Sequence, residues 1–325
     1  MTHVLPARPD FEHLRHEAKQ LLGKWRAGEP VALSRLEAMA PGLPVALSSA
    51  QLVVAREYGF ESWAQLKLLV TRIAAGDIRY DRIGRGYSAH RRTDPRIAAK
   101  VLRGLGDART VVNVGAGTGS YEPTDRPVVA VEPSTVMAMQ RDAALPPAVL
   151  GVAESLPFAD GTTDAAMAVM TMQHWSDVRR GLSEMRRIAR RRVVLLTIDV
   201  AAEADMWLFR DYVPEFLEQD SREMPPLRLI EQTLGGTVRI LPVPVPADCT
   251  DGMGLAFWSK PEAVLDDAAR AATSGFARMD PARERQAVNQ LRGDLASGAW
   301  DRANGHLRTL PALDVGLRLV VAEFV

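Results

Sequence analysis

Cysteine is almost absent from this sequence, with Cys249 as the one thiol in 325 residues. A single cysteine excludes a disulfide within the chain and a metal site built from a cluster of cysteines. Long hydrophobic runs are also missing, because no stretch approaches the roughly 18 apolar residues that a membrane-spanning helix needs. The first residues lack the basic segment and short apolar core of a secretory signal. These absences predict a cytoplasmic protein with no membrane partner.

An excess of charge of either sign is missing as well. Lys plus Arg number 40 and Asp plus Glu number 40, so the formal net charge is zero. Domains that bind nucleic acid usually carry a basic surface, so we expect no nucleic-acid partner. Hydrophobic residues make up 47% of the chain, which is enough for a large core. The length fits one large or two unequal domains.

Two sequence patterns divide the chain. Residues 1–76 show apolar positions at helical spacing only, with Asp10 and Ser62 as expected N-caps and Gly59 as a left-handed helix end. A further helix is expected to begin at Ser48 or Ser49. The sequence therefore predicts a small all-α N-terminal domain.

From residue 77 to residue 325, short apolar runs alternate with helical segments. This alternation is typical of an α/β fold with a doubly wound, mainly parallel, Rossmann-like sheet. The seven candidate strands are Val111–Val114, Val128–Val131, Val149–Val152, Ala165–Met170, Val193–Ile198, Val238–Val243 and Leu317–Ala322. The expected helices are Ser134–Ala143, Asp177–Ala189 and Pro226–Leu234, with a helical insertion at about 261–306.

A glycine-rich turn follows the first candidate strand. Gly115, Gly117 and Gly119 form a G-x-G-x-G pattern, and a helix is expected after them. Glycine permits a tight turn and close approach of the backbone to a ligand, and a helix N-terminus favours polar ligand groups. The second strand ends at Glu132, where a carboxylate is placed to accept hydrogen bonds from two ribose hydroxyls. The order of strand, glycine turn, helix, strand and acid predicts a nucleoside-containing cofactor.

Three kinds of nucleotide site compete for this pattern. The ATP-binding loop needs Lys and then Ser or Thr after its last glycine, and no Lys follows Gly119. The dinucleotide pattern needs glycine or alanine in its sixth position, where this chain has Ser120, so an NAD-type oxidoreductase is the weaker alternative. The spacing of the three glycines resembles the first motif of class I S-adenosylmethionine-dependent methyltransferases.

The resemblance runs in order over residues 79–200 and is closest to the ubiquinone/menaquinone-type branch of small-molecule methyltransferases. The segments that carry it are Tyr80–Tyr87, Ala153–Phe158, Asp160–Ala166, Met172–Trp175 and Leu182–Ile188. It implies an enzyme that binds S-adenosylmethionine, methylates a small-molecule acceptor by in-line displacement and releases S-adenosylhomocysteine. The candidate cofactor-binding residues are Tyr87, Arg92, Asn113, Gly115, Ala116, Gly117, Glu132, Pro133, Ala153, Glu154, Met170 and Trp175.

Two positions depart from the pattern of the family. Asn113 stands where members usually have an acid near the methionine amino group. Val152 stands where many members have an Asp that binds the adenine amino group, so adenine recognition would depend on backbone groups of Ala153 and Glu154. These departures favour, as an alternative, a non-catalytic protein that keeps the fold for cofactor binding or as a scaffold.

His174 is the candidate general base, because it follows the fourth strand at the edge where open α/β sheets hold ligands. Its ordinary pKa of about 6.5 suits proton removal, although a base is needed only if the acceptor loses a proton. The alternative role for His174 is a structural hydrogen bond to the backbone. Trp175 is either a wall of the pocket or a core aromatic residue. Methyl transfer needs no nucleophile, so we expect none from Cys249.

The N-terminal segment has a resemblance of its own. Ala18–Leu22 and Arg56–Trp63 are similar to a short helical module that precedes ankyrin repeats in bacterial proteins, and no such repeat follows here. We expect this domain to be a packing element, or a contact site for a protein partner or a second copy of the chain.

Overall fold

The computed structural model describes Leu5 and residues 9–60, 62–74, 92–271 and 273–324. Its first part is helical: α1 (Phe11–Arg26), α2 (Pro30–Met39), α3 (Leu47–Glu57) and α4 (Trp63–Ala74). The Asp10 carboxylate accepts the Glu12 backbone N–H at 2.8 Å, which confirms this N-cap. Gly59 has the predicted left-handed conformation at φ 85. The serine cap of α3 was wrong, since this helix begins at Leu47.

A seven-stranded sheet forms the second part and confirms the predicted fold class. The strands of the chain are β1 (Val111–Val114), β2 (Val128–Glu132), β3 (Val149–Leu150), β4 (Thr163–Val169), β5 (Ala189–Ile198), β6 (Thr237–Pro242), β7 (Val245–Pro246), β8 (Ala312–Leu313) and β9 (Leu317–Glu323). The order is β3-β2-β1-β4-β5-β9-β6, while β7 and β8 pair separately. Only β9 runs antiparallel to its two neighbours within this sheet. The parallel strands place their carboxyl ends at one edge, which is where the predicted site residues lie.

The remaining helices flank the sheet or lie between its strands in the sequence. They are α5 (Pro95–Leu105), α6 (Thr135–Ala138), α7 (Val178–Ile188), α8 (Val200–Glu203), α9 (Glu215–Glu223), α10 (Leu227–Leu234), α11 (Asp267–Ala271), α12 (Pro281–Ala296) and α13 (Ala299–Asn304). None of the helices formed by the described residues combines the length and the hydropathy that crossing a bilayer requires. Within the expected helical insertion, α11 to α13 are connected by turns.

Two helix predictions were wrong at the site. The residues between β1 and β2 form turns and no helix, because this short segment contains Pro123 and Pro127, which cannot donate backbone hydrogen bonds. The helix expected over Ser134–Ala143 has only the single turn of α6, capped by the Ser134 hydroxyl at the Met137 N–H. The glycine turn is therefore supported by tertiary contacts and not by the N-terminus of a helix.

The N-terminal helices pack against the edge of the sheet at β3. Their core contains Leu21, Trp25 and Val53, and it continues into Val152 and the partly buried Leu150. Covering an edge strand protects its unpaired backbone groups. Val152, the position where the family often has an acid, is thus buried between the helices and the sheet.

Three buried tryptophans, Trp207, Trp258 and Trp300, pack together and anchor the helical insertion. The Trp207 indole N–H donates to the Trp258 carbonyl at 2.8 Å, and the Trp258 indole N–H donates to the Val245 carbonyl at 3.0 Å. Trp207 also meets Trp300 edge to face, with ring centroids 5.3 Å apart. All three rings are fully buried. This packing holds the segment after β7 and the insertion against the carboxyl edge of β4 and β5.

Candidate functional site

The glycine turn after β1 lies against the end of β4. Gly115 has φ 69, and a Cβ there would lie 2.2 Å from the Thr171 hydroxyl oxygen, so a side chain has neither the conformation nor the space. Ala116 is buried behind it. At Gly117, φ is 53 and the nearest neighbour to a Cβ is the Met137 methyl group at 3.5 Å. The turn is therefore packed closely against the end of β4. We refer to the glycine turn together with Asn113 and Glu132 as the groove.

Glu132 lies at the tip of β2 and contacts the glycine turn. Its carboxylate accepts the Gly117 N–H at 2.7 Å and the Ser134 N–H at 2.8 Å, one on each oxygen. Pro133, which lies between Glu132 and Ser134 in the chain, is half-buried. Glu132 thereby couples the glycine turn to the start of α6. The structure brings together the acid and the glycines that the sequence placed on neighbouring strands.

Asn113 presents a buried and unsatisfied acceptor at the end of β1. Its side chain is 1% exposed, and its amide donates to Glu122 at 2.9 Å. The Asn113 side-chain oxygen has no hydrogen-bond partner among the described residues. Buried polar atoms nearly always have partners, so this oxygen is suited to a donor group on a ligand.

A buried ion pair that the sequence analysis missed supports Asn113. Arg141 donates to both carboxylate oxygens of Glu122, at 3.0 and 2.7 Å, and these side chains are 3% and 1% exposed. Arg141 also donates to the Pro146 carbonyl at 3.2 Å. The partners belong to two turns that no sequence motif connects. The pair brings a carboxylate next to Asn113, where the family usually has an acid.

Glu154 and Trp175 contribute to packing at this edge. The buried Glu154 carboxylate accepts the Ser176 N–H at 2.6 Å, the Ser176 hydroxyl at 2.8 Å and the Asp177 N–H at 3.2 Å. The Glu154 side chain thus holds the entry to α7. The Trp175 ring lies against Gly181, where a Cβ would come within 2.5 Å of it and 3.2 Å of Ala153.

Two further predicted residues precede the glycine turn in the sequence. Tyr87 falls outside the described residues. Arg92 is exposed and precedes Thr93, whose hydroxyl accepts the Tyr121 N–H at 3.1 Å. The Tyr121 hydroxyl in turn donates to Asp251 at 2.8 Å. Arg92 is therefore carried by a segment that contacts the glycine turn.

The loop after β7 is packed beneath the same turn. Its Cys249 is buried, and burial raises the pKa of the thiol to about 11. A thiol with so high a pKa is protonated at neutral pH and is a poor nucleophile. This agrees with the expectation that Cys249 takes no part in the chemistry.

A cavity opens beside the groove at the ends of β4 and β5. It encloses about 670 Å³, including the solvent at its mouth. Its apolar walls are Met170, Ile198, Phe209, Phe216, Met224, Met253 and Leu255. Met170 directly follows β4 and has φ 49, an unusual value for a residue with a side chain, and Thr171 after it contacts Gly115. The cavity and the glycine turn therefore meet at two successive residues.

His174 lies in the turn Met172–His174 that follows these residues. Its neighbour Gln173 lines the cavity, whereas His174 is half-buried and lies outside the cavity lining. The Gln173 amide donates to the Met170 carbonyl at 3.0 Å and so fixes the turn. The predicted base thus lies next to the cavity wall.

Comparisons with known proteins decide which family this site belongs to. A family model described as a methyltransferase domain matches residues 112–197. The crystal structure of a putative methyltransferase from an antibiotic biosynthesis pathway of Anabaena variabilis is 30% identical, covers 72% of this chain and 99% of that chain, and superposes with a TM-score of 0.67. The chain belongs to the class I S-adenosylmethionine-dependent methyltransferases. Membership in this family disfavours the NAD-type oxidoreductase and the non-catalytic scaffold.

Other solved structures resemble the methyltransferase less closely. Geranyl diphosphate C-methyltransferase from Streptomyces coelicolor, crystallised with S-adenosyl-L-homocysteine, is 15% identical, with 70% of this chain and 75% of that chain covered and a TM-score of 0.39. A possible histamine N-methyltransferase from Thermotoga maritima is 20% identical, with 51% and 83% covered and a TM-score of 0.40. No curated protein matches the chain. The acceptors of these enzymes have no bearing on the acceptor of this one.

Proposed function

We propose that this methyltransferase transfers a methyl group to a small-molecule acceptor held in the cavity at the ends of β4 and β5. The observation that carries the proposal is the junction of Met170, which lines the cavity, with Thr171, which contacts Gly115 of the glycine turn. The cavity combines apolar walls with a few polar groups, as small-molecule sites usually do. An acceptor there would lie directly beside the cofactor groove.

The residues of the groove fit S-adenosylmethionine. In the proposed arrangement Glu132 accepts the ribose hydroxyls, and Asn113, with its unsatisfied oxygen and the Glu122 carboxylate beside it, receives the methionine ammonium group. Backbone groups of Ala153 and Glu154 bind adenine, because Val152 is buried against the N-terminal helices. Tyr87 and Arg92 are proposed for the methionine end.

The chemistry of the cofactor limits what the protein has to supply. S-adenosylmethionine carries an activated methyl group on a sulfonium, so positioning and exclusion of water are the main tasks of the protein. The apolar walls around Met170 exclude water from the part of the cavity next to the groove. The assignment to the ubiquinone/menaquinone-type branch stays a prediction, as does the relation of the N-terminal helices to ankyrin-associated modules.

Calorimetric titration of the purified protein tests cofactor binding. S-adenosylmethionine and S-adenosylhomocysteine are expected to bind, and NAD is expected not to bind. The physical reason is that the groove offers the ribose acceptor Glu132 and the ammonium acceptor Asn113 but no dinucleotide pattern at Ser120. Binding of NAD in preference to S-adenosylmethionine and S-adenosylhomocysteine would contradict the proposed function.

The base role of His174 predicts a specific dependence of turnover on pH. For an acceptor that loses a proton, the rate is expected to rise through a pKa of about 6–7 as the imidazole becomes neutral. His174→Gln should lose this rise, while His306→Gln, which removes an exposed histidine of the insertion, should retain it. Steady-state rates between pH 5 and 9 measure the effect. An unaltered pH profile in His174→Gln would reject the base role.

A further inference from the structure

Two carboxyl groups line the cavity beside its apolar walls. Glu203 belongs to α8, which follows β5, and Asp220 belongs to α9. The two carboxyl groups are close enough to shift each other's pKa. Neither residue belongs to the cofactor groove, and no motif in the sequence marks them. We refer to Glu203 and Asp220 as the carboxyl pair.

Glu203 has the features of a group that awaits a ligand. The residue is 1% exposed and lines the cavity, yet its Oε2 atom has no hydrogen-bond partner among the described residues. Leaving a buried carboxyl oxygen unsatisfied is costly, and such exceptions are uncommon in folded proteins. Its position behind Gly316 is tight, because a Cβ on Gly316 would lie 3.2 Å from the Glu203 Cβ. Glu203 is thus held in place.

The charges around the pair leave it with one proton near neutral pH. Burial raises the pKa of Glu203 to about 9, and Asp220 adds to the shift. Burial also raises the pKa of Asp220 to about 6, while Arg278 opposes this shift and Glu223 strengthens it. Arg278 donates to both oxygens of Glu223, at 2.9 and 3.0 Å, so this cation is already paired. The pair therefore tends to retain a proton, so that the protonated carboxyl is a donor and the other carboxyl an acceptor.

The other charged groups next to α8 are also engaged. Asp199, the residue before this helix, pairs with Arg318 at 3.4 Å, and Arg318 pairs with Asp314 at 2.6 Å. None of these three groups contributes to the pKa shifts of the pair. The protonation of Glu203 and Asp220 is thus governed by burial and by each other, with smaller effects from Glu223 and Arg278.

We propose that the carboxyl pair is the recognition site for the acceptor, and that the acceptor is a neutral, mainly apolar molecule carrying a hydroxyl group. This inference rests on the proposed small-molecule function. The walls formed by Phe209, Phe216 and Met253 fit an apolar body, and the pair binds its hydroxyl. An anionic acceptor is repelled by the negative charge of the pair.

Binding of model compounds to the full chain tests the recognition role. In the presence of saturating S-adenosylhomocysteine, 2-naphthol is expected to bind at least tenfold more tightly than naphthalene-2-carboxylate. Asp220→Asn and Glu203→Gln should each weaken 2-naphthol binding by at least tenfold. Glu218→Gln is the matched control, because Glu218 lies on α9 as well but its side chain is 70% exposed. Calorimetry measures the affinity of each protein for these ligands.

Each other outcome of this titration overturns the proposal. Failure of the wild type to bind 2-naphthol removes the substrate class. Equal binding in the wild type and in both pair variants removes the role of the pair. Tighter binding of 2-naphthylmethylamine, a cation at neutral pH, would assign the cavity to amines. Failure of S-adenosylhomocysteine itself to bind would instead count against the proposed function.

The dependence of thermal stability on pH gives a second readout that needs no ligand. Both folded-state pKa values lie above the ordinary values of 4.5 and 3.8, so the contribution of the pair is present at low pH and is lost as pH rises. The Tm of the wild type should therefore fall between pH 6 and pH 9 more than the Tm of Glu203→Gln. Parallel Tm curves for these proteins would show that the pair carries no such proton and would overturn the proposal.

Discussion

Glu132→Ala is expected to weaken the binding of S-adenosylhomocysteine by about 10- to 150-fold. Hydrogen bonds to a charged acceptor contribute about 1.5–3 kcal/mol each, which corresponds to that range in the dissociation constant. The variant also deprives the Gly117 and Ser134 N–H groups of their acceptor, which loosens the turn that carries the ligand. Calorimetric titration measures the change. Asp125→Ala, which removes an exposed acid between β1 and β2, should bind S-adenosylhomocysteine with unchanged affinity.

An analogue of the ligand separates the ribose contact from the effect on the turn. The wild type should bind the 2′-deoxy form of S-adenosylhomocysteine more weakly than the parent compound, because one hydrogen bond to Glu132 is lost. In Glu132→Ala the two compounds should bind equally, since the acceptor is already missing. A variant that keeps the full difference between the two compounds would show that another group binds the ribose.

Arg141→Met is expected to lower the free energy of unfolding by about 3–5 kcal/mol. Removing one member of a buried ion pair leaves an uncompensated charge, and that cost falls in this range. Here the remaining charge is Glu122, whose side chain is 1% exposed and which also holds the Asn113 amide. Urea denaturation with a tryptophan fluorescence readout measures the change. The affinity for S-adenosylhomocysteine should also fall, because Arg141 and Glu122 support the methionine end of the groove.

A double variant distinguishes the buried charge from the loss of packing. Glu122→Gln combined with Arg141→Met removes both charges and should recover most of the lost stability. Arg222→Met removes the cation of an exposed pair with Glu218, and it should change stability by less than about 1 kcal/mol. If the double variant is as unstable as Arg141→Met alone, the loss comes from packing, and the charge argument fails.

The parts of the fold that the sequence predicts well are those with local causes. The strand Val111–Val114 was predicted with the bounds that the structure has, and Leu317–Ala322 differs from β9 by one residue. Continuous apolar runs bounded by turn residues identify strands that are buried on both faces, without knowledge of their neighbours. The same holds for the glycine pattern and for Glu132, because parallel strands bring successive carboxyl ends to one edge.

Predictions that depended on helices were weaker at the site. The glycine pattern predicted a helix after Gly119, but Pro123 and Pro127 in this short segment prevent one, and the Glu122–Arg141 ion pair supports the turn instead. The helix expected over Ser134–Ala143 shrinks to one turn, although its cap Ser134 is correctly placed. A cap residue marks where a helix begins, whereas its length depends on the surface it packs against.

What the sequence determined by itself is the alternation of strands and helices, the glycine turn, the acid at the tip of β2 and hence the class of cofactor. Each of these depends on residues that are close together along the chain. Only the tertiary structure decided that Val152 is buried under the N-terminal helices and that Glu203 meets Asp220 beside the walls of the insertion. These contacts join segments that are distant in sequence, and burial and charge pairing between such segments leave no periodic pattern to recognise.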